Sequence, residues 1–400
     1  MLTIDGSKLE GGGQIIRTAL ALSTLTGIPF EAYNIRAGRE KPGLKAQHLH
    51  CILALQKLCE AKVGYAELGS TKLRYLPGKI SGKTISIDIG TAGSVSLLLQ
   101  SILLPAFFAD SKVHLHIKGG TAAKFAMPYE YFENVLLPYL RRFCEKIEAK
   151  QVTRGYFPAG NGEIDVIIRP KFKLKDFKTI EEFKGFLNLS LPKFNLIEQV
   201  SLQKISGISH ASADLQNSEV AERQASSAKL LLSKLNCPVQ IRAEYSKTVS
   251  TGSGITLWAT YSKNSGINRI NNDNSFNDAN NIVTSNNPES ARYEYNPEGE
   301  EVLDLHNPIV LGADALGERG KRAEEVGKEA ADKLIKEIES KAPVDVHLAD
   351  NLIPFIALFS SNQIRVSELS MHTKTNIWVV EQFLGKCLEV DEENKVIRSK

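Results

Sequence analysis

"TISIDIGTAGSVSLLLQSILLPAFFADSKVHLHIK", residues 84–118, decides the fold. It reads as a strand, an apolar helix and a second strand, because short alternating stretches flank a long apolar run. The same order recurs twice. Residues 1–36 give "LTID", a glycine loop, "QIIRTALALSTLTG" and "PFEAYNIR". Residues 344–371 give "VDVHLAD", "NLIPFIALFSS" and "NQIRVSELSM".

A further amphipathic helix follows each of these: "LKAQHLHCILALQKLCEA", "MPYEYFENVLLPYLRRFCEK" and "TNIWVVEQFLGKCLEV". Their apolar residues return at intervals of three and four. Hairpin material closes each unit: "TKLRYLPGKI", "YFPAGNGEIDVIIRP" and "VDEENKVIRSK". The expected architecture is α/β: a large domain of three βαβαββ repeats, residues 1–183 and 341–400. Residues 184–340 form a smaller α/β domain inserted before the third repeat. That insert holds strands "EQVSLQKISGIS", "VQIRAEYS", "GITLWATYS" and "PIVLGADAL", and helices "EVAERQASSAKLLLSKL" and "KRAEEVGKEAADKLIKEIES". Within it, residues 264–300 are rich in Asn, Ser and Asp and poor in apolar residues, so a flexible loop is expected there.

Composition sets the outer bounds. The 400 residues are 42% hydrophobic and 24% charged, as in an ordinary soluble protein. The 49 basic and 46 acidic residues leave a net charge of +3, so any nucleic-acid affinity must come from local charge. The five cysteines have no metal-site spacing and read as free thiols of a reducing compartment. "MLTIDGSKLEGGG" lacks the basic and apolar segments of a signal peptide. The longest apolar stretch, "SVSLLLQSILLPAFFA", is broken by Gln100 and Pro105 and falls short of the ~20 residues of a membrane helix. A cytoplasmic protein with no membrane partner is expected.

Candidate chemistry gathers at the repeat loops. After the second strand of each unit come "RAGREKPG" with Arg36 and Arg39, "KGGTAAKFAMP" with its glycine turn, and "HTKTN" beginning at His372. Ligands of α/β folds collect where such loops meet. "KLEGGGQIIR" is a glycine loop entering a helix, where free N–H groups and the dipole favour phosphate. It is neither a Rossmann nor a Walker pattern. Gln14 and Arg17 share a helix face, and Glu10 stands just before them. These residues suit ribose, phosphate and metal respectively. Arginines bind phosphate in a bidentate manner. A partly neutral histidine serves either as nucleophile at phosphorus or as general base.

Nine ordered stretches resemble one family: "EGGGQIIRTALALS", "IRAGREKPGLKAQH", "GTAGSVSLLLQ", "KGGT", "FPAGNG", "VAERQA", "GADALGERGKRAEEVGKEAA", "HLADNLIPFIAL" and "MHTKTNIWVVEQFLG". The chain is similar to the RNA 3'-terminal phosphate cyclases along nearly its whole length. The resemblance implies a ligase that uses ATP and a divalent cation, Mg or Mn, to turn an RNA 3'-phosphate into a 2',3'-cyclic phosphate. It implies His372 as the adenylated nucleophile, and Gln100, His347, Leu348, Ala349, Asp350 and Asn351 at the ATP. It further implies Gln14, Arg17, Arg36, Arg39 and Gln47 at the phosphate and RNA end, and Glu10 beside the metal. Three departures stand out: Asn161 interrupts the glycines of "PAGNG", Ala122 replaces a common Asp or Asn after "GGT", and Asn351 replaces a common Gln.

Two other classes compete. A ribosome-assembly relative of this fold binds RNA without catalysis, but such relatives look as if they lack the nucleophile, whereas His372 is present here with Arg17, Arg36 and Arg39. Enolpyruvyl transferases use similar repeats, but six of them in two equal domains.

Overall fold

The computed structural model describes residues 1–262, 293–295, 301–304 and 306–400. The first stretch runs β1 (Leu2–Asp5), α1 (Gly13–Thr26), β2 (Phe30–Tyr33), α2 (Ala46–Cys59), β3 (Lys62–Gly64) and β4 (Leu73–Leu76). Its sheet has the order β1-β2-β4-β3, with β1 and β2 parallel and the other pairs antiparallel.

The second stretch runs β5 (Thr84–Asp88), α3 (Val95–Ala106), β6 (Val113–Gly119), α4 (Tyr129–Tyr131), α5 (Leu137–Leu140), β7 (Cys144–Thr153) and β8 (Gly162–Pro170). Its order, β5-β6-β8-β7, repeats the first sheet in sequence and sense. On β6, Val113, Leu115 and Ile117 point inward while His114 and His116 point out. Two pieces follow, α6 (Ile180–Ser190) and β9 (Asn195–Leu196).

A different sheet comes next, from β10 (Ser201–Ser212), α7 (Val220–Leu232), β11 (Val239–Ser246) and β12 (Ser253–Ser262). Then come β13 (Tyr293–Tyr295), β14 (Glu301–Asp304), β15 (Ile309–Leu316) and α8 (Ala323–Glu339). The order is β11-β10-β12-β15, and α7 and α8 pack together against it. The chain closes with α9 (Val346–Ile356), β16 (Gln363–Arg365), α10 (Met371–Leu384), β17 (Leu388–Asp391) and β18 (Val396–Ser399). That last sheet has the order β17-β18-β16-β9.

Three expectations change in detail. "VDVHLAD" is not a strand: Asp345 caps α9, so the chain turns helical at Val346 and leaves one bridge, Val344 to Val366. The edge position beside β16 is filled by β9, parallel to it, although β9 lies inside the 184–340 span. "MPYEYFENVLLPYLRRFCEK" is not one continuous α-helix. A π turn over Phe132–Leu136 separates α4 from α5, and the backbone extends into β7 from Cys144. The expected loop at 264–300 lies outside the described residues, apart from Tyr293–Tyr295.

The core runs between these layers. α1 is buried from Gln14 to Leu25, so it has no solvent face and packs on α3 and α10. Phe107, Phe143, Phe194, Phe355 and Phe359 form an aromatic cluster that joins the second and last sheets. All five cysteines are free. No helix among the described residues is long and apolar enough to cross a membrane.

Candidate active site

The site begins at the buried start of α1. Gly12 and Gly13 are glycines for want of space: a Cβ on Gly12 would fall 2.1 Å from Glu10 Oε2, and one on Gly13 would fall 2.1 Å from His48 Nε2. The triplet therefore lets a carboxylate and an imidazole close on the helix start. The Glu10 backbone N–H donates to Thr375 Oγ1 of α10 at 3.3 Å. Glu10 Oε1 accepts from Arg39, while Glu10 Oε2 is buried with no hydrogen-bond partner.

His372 sits in the first turn of α10, whose cap is Ser370 accepting from the Thr373 N–H at 2.9 Å. Its Nδ1 lies 3.9 Å from Glu10 Oε2. Partial burial, with the Arg17 and Arg39 cations and His347 nearby, pulls the His372 pKa below its usual value, against the opposing pull of Asp350. The shift favours the neutral ring. Asp350 accepts from Ser370 Oγ at 2.9 Å and Thr373 Oγ1 at 2.6 Å, and its carbonyl accepts from Asn376 at 2.6 Å.

A relay of side chains crosses the floor. Arg17 Nε donates to Gln100 Oε1 at 3.0 Å, Gln100 Nε2 to Asn351 Oδ1 at 3.0 Å, and Asn351 Nδ2 to the His347 carbonyl at 2.7 Å. Burial pushes the Arg17 pKa down to about 10, so it remains cationic at pH 7. Above this floor opens a cleft of about 450 Å³, lined on one side by Gln14, Arg17, Gln100, His347, Asp350, Asn351 and His372. Another part of its lining comes from β15, α8 and the turn between them and carries Asp314, Lys321, Glu329 and Lys333. Glu329 is clasped between Lys321 and Lys333.

Seven of the thirteen residues expected from sequence therefore line one cleft, and Glu10 and Arg39 border it at His372. The other four lie elsewhere. Arg36 turns its guanidinium onto the Lys41 and Gly43 carbonyls of its own loop, at 2.8 and 3.1 Å. Gln47 reaches the Ser94 carbonyl at 3.5 Å. Leu348 and Ala349 are fully buried, and their N–H groups bond to Asp345. Sequence reading passed over His48, which is buried and whose Nδ1 accepts from the Lys45 N–H at 2.9 Å. Burial, with Arg17, Arg36 and Lys45, pushes its pKa down to about 3. Its place beside Gln47 at the start of α2 was the available signal.

An arginine-floored cleft at helix starts, with a histidine and a carboxylate that keeps one oxygen unpartnered, defines an α/β enzyme built to handle phosphate groups. Comparison with known proteins narrows the class. A family model described as RNA 3'-terminal phosphate cyclase matches residues 8–390. The chain is 40% identical over 390 residues to the RNA 3'-terminal phosphate cyclase of Pyrococcus furiosus, covering 98% of this chain and 95% of that one. It is 39% identical over 400 residues to that of Archaeoglobus fulgidus, covering 99% of each. With that of Methanosarcina mazei the identity is 36%, over 98% of this chain and 97% of the relative. The chain belongs to the RNA 3'-terminal phosphate cyclase family, a family of ligase-class enzymes.

Proposed function

We propose that the protein converts an RNA 3'-phosphate end into a 2',3'-cyclic phosphate with ATP as co-substrate, through an adenylylated His372. In this reading a ring nitrogen of neutral His372 bonds to the α-phosphorus of ATP while the α–β anhydride breaks and pyrophosphate leaves. An oxygen of the RNA 3'-phosphate then takes the AMP from histidine, giving an RNA–adenylate anhydride. The neighbouring 2'-hydroxyl attacks that terminal phosphorus, gives up its proton, and AMP departs. The need for a 2'-hydroxyl limits the substrate to RNA ends.

The observation that carries this reading is the place of His372: on a helix start, lining the same cleft as Arg17 and Gln100. Arg17 and the N-terminus of α1 supply fixed positive charge where phosphate charge develops. In this reading His347, Asp350 and Asn351 serve the ATP, and Gln14, Arg17 and Arg39 the RNA end; all but Arg39 line the cleft, and Arg39 pairs with Glu10.

A divalent cation fits as a one-carboxylate site. Among the described residues no three His, Cys, Asp or Glu side chains gather to hold a metal, but Glu10 Oε2 is buried and unpartnered. Mg or Mn is commonly held by one carboxylate plus substrate phosphates and water, and would there neutralise triphosphate charge. We also read the chain as three βαβαββ repeats with a small α/β domain inserted before the third, the large domain being catalytic. The shared strand order of the three sheets supports this, and since β9 pairs with β16 the insertion in this reading begins after Leu196. Free cysteines agree with a cytoplasmic setting.

The test is incubation with ATP labelled at the α-phosphate and a divalent cation, without RNA. Label on the protein that acid removes and alkali does not, absent in His372→Ala and discharged by an RNA 3'-phosphate, is the expected result. Cyclisation by His372 as a general base would leave the protein unlabelled.

A further inference from the structure

Phe125 is the most exposed large apolar side chain among the described residues, at 91%. Exposed apolar residues are common and usually carry no meaning. Leu189 at 88% is of that kind, on α6 and not among the residues that line the cleft. Phe125 differs in three ways. It lines the same cleft as His372 and Arg17. Its backbone has φ +64°, a left-handed conformation that an aromatic residue adopts only against its own preference. And its turn is tied at several points: Ala126 N–H to the Ala123 carbonyl at 3.3 Å, Thr121 N–H to the Gly155 carbonyl at 3.0 Å, and Tyr129 N–H to the Thr121 carbonyl at 2.9 Å.

The neighbour completes the feature. Lys124 Nζ bonds Glu318 Oε1 at 3.0 Å, joining this loop to the turn before α8, and lies 5.5 Å from the Phe125 ring centroid. Both partners are mostly exposed, so the bridge is weak and open to exchange with an incoming phosphate. An exposed aromatic face on a backbone-tied turn, beside an exchangeable cation, is how single-stranded nucleic acid is gripped: a base stacks while a phosphate pairs.

We propose that Phe125 is a stacking platform for a base of the RNA substrate at the cleft mouth, with Lys124 meeting the adjoining phosphate. This rests on the reading that RNA ends react in this cleft. RNA, rather than the adenine of ATP, is the favoured occupant because the ring stands almost wholly in solvent. A polymer must leave the cleft across its rim, whereas the reacting nucleotide is held within.

The test uses the full-length protein and short RNAs ending in a 3'-phosphate. Binding is measured by fluorescence anisotropy, self-adenylation by label transfer without RNA, and cyclisation as KM against kcat. Phe125→Ala is expected to raise Kd and KM for RNA about tenfold, the scale of one stacked base, while kcat at saturating RNA holds. Phe125→Tyr is expected to restore binding. A single abasic unit is then moved along the last four nucleotides. At one position it should weaken wild-type binding and leave Phe125→Ala unaffected.

Unchanged RNA affinity in Phe125→Ala, or an equal loss with every abasic position, overturns the platform. A slowed self-adenylation without RNA also overturns it, by assigning the ring to adenine. Failure of the wild type to self-adenylate, with Phe125-dependent RNA binding intact, overturns the adenylyl-histidine route and leaves the platform standing.

Discussion

Thr18 Oγ1 donates to Asn376 Oδ1 at 2.7 Å, in a buried bond that ties the helix carrying Arg17 to the helix carrying His372. Asn376 also donates to the Asp350 carbonyl, so one side chain sets α1, α9 and α10 against each other. Thr18→Val keeps the shape and removes the donor. The Asn376 oxygen is then buried without that partner, at a cost of about 1–3 kcal/mol. Urea unfolding at pH 7 should show that loss. Self-adenylation should fall as well, since the histidine is no longer fixed relative to the arginine.

Arg17→Lys is expected to be a poor exchange despite its conserved charge. Arg17 Nε holds Gln100, and Gln100 holds Asn351, so loss of the planar fork frees two further side chains of the floor. Removing a fixed donor from a site of developing charge commonly lowers kcat by about a hundredfold or more. The rate of label transfer to the protein should drop by that order, with the far-UV circular dichroism spectrum unchanged.

Much of this arrangement was legible in the sequence, for physical reasons that differ by element. β11 coincides with "VQIRAEYS" because alternation and flanking breaks mark both its ends. α8 follows "KRAEEVGKEAADKLIKEIES" because one apolar stripe and many charges define a surface helix. β9 was hidden: two residues, Asn195 and Leu196, have no periodicity, and only β16 makes them a strand. "VDVHLAD" alternates like a strand, but Asp345 accepts from the His347 and Leu348 N–H groups, and that cap starts a helix. At the site, the family's motifs brought out His372, Arg17 and Gln100. They were silent on side-chain direction, so Leu348 and Ala349, which face the core, were indistinguishable from their neighbours.

In its proposed role as nucleophile His372 would act only when neutral, and its pKa is shifted below the ordinary histidine value. The neutral fraction therefore persists as pH falls through the usual range near ~6.5. Self-adenylation without RNA should therefore have its acid midpoint below ~6.5. Asp350→Asn removes one of two nearby carboxylates that favour the protonated ring, Glu10 being the other, and should move that midpoint to still lower pH. A profile with its midpoint at or above ~6.5 would contradict the placement of the ring.

His48 makes a separate prediction about stability. Its folded pKa of about 3 lies below the unfolded value of ~6.5, so between these the unfolded chain binds the extra proton. Stability is full above pH ~6.5 and falls as the solution is acidified toward 3. His48→Gln can still accept the Lys45 N–H but does not titrate. Its urea midpoint should lose less between pH 7 and pH 4.5 than that of the wild type, whatever the offset at pH 7.

Asp345 tests how the β15–α8 wall is held to the floor of the cleft. Its Oδ1 accepts from Tyr131 Oη at 2.6 Å and from the His347 and Leu348 N–H groups at 3.0 and 2.9 Å, and its Oδ2 accepts from the Gly312 N–H of β15 at 2.9 Å. Every partner is a donor, and the carboxylate is fully buried. An amide cannot replace it. With the Asn oxygen at the helix cap, the NH2 group faces the Gly312 N–H, donor against donor. Flipped, it uncaps α9 and confronts Tyr131. Asp345→Asn is thus expected to cost about 1–3 kcal/mol for the unmet donors, read as a lower urea midpoint. Because Gly312 lies on β15 and His347 on α9, the two walls should also separate more easily. Hydrogen exchange in Asp345→Asn should then speed up at Gly312 and in the first turn of α9, and remain slow in the sheet of β5, β6, β7 and β8. Uniform acceleration across all sheets would mean that Asp345 supports global stability alone and has no particular hold on the cleft.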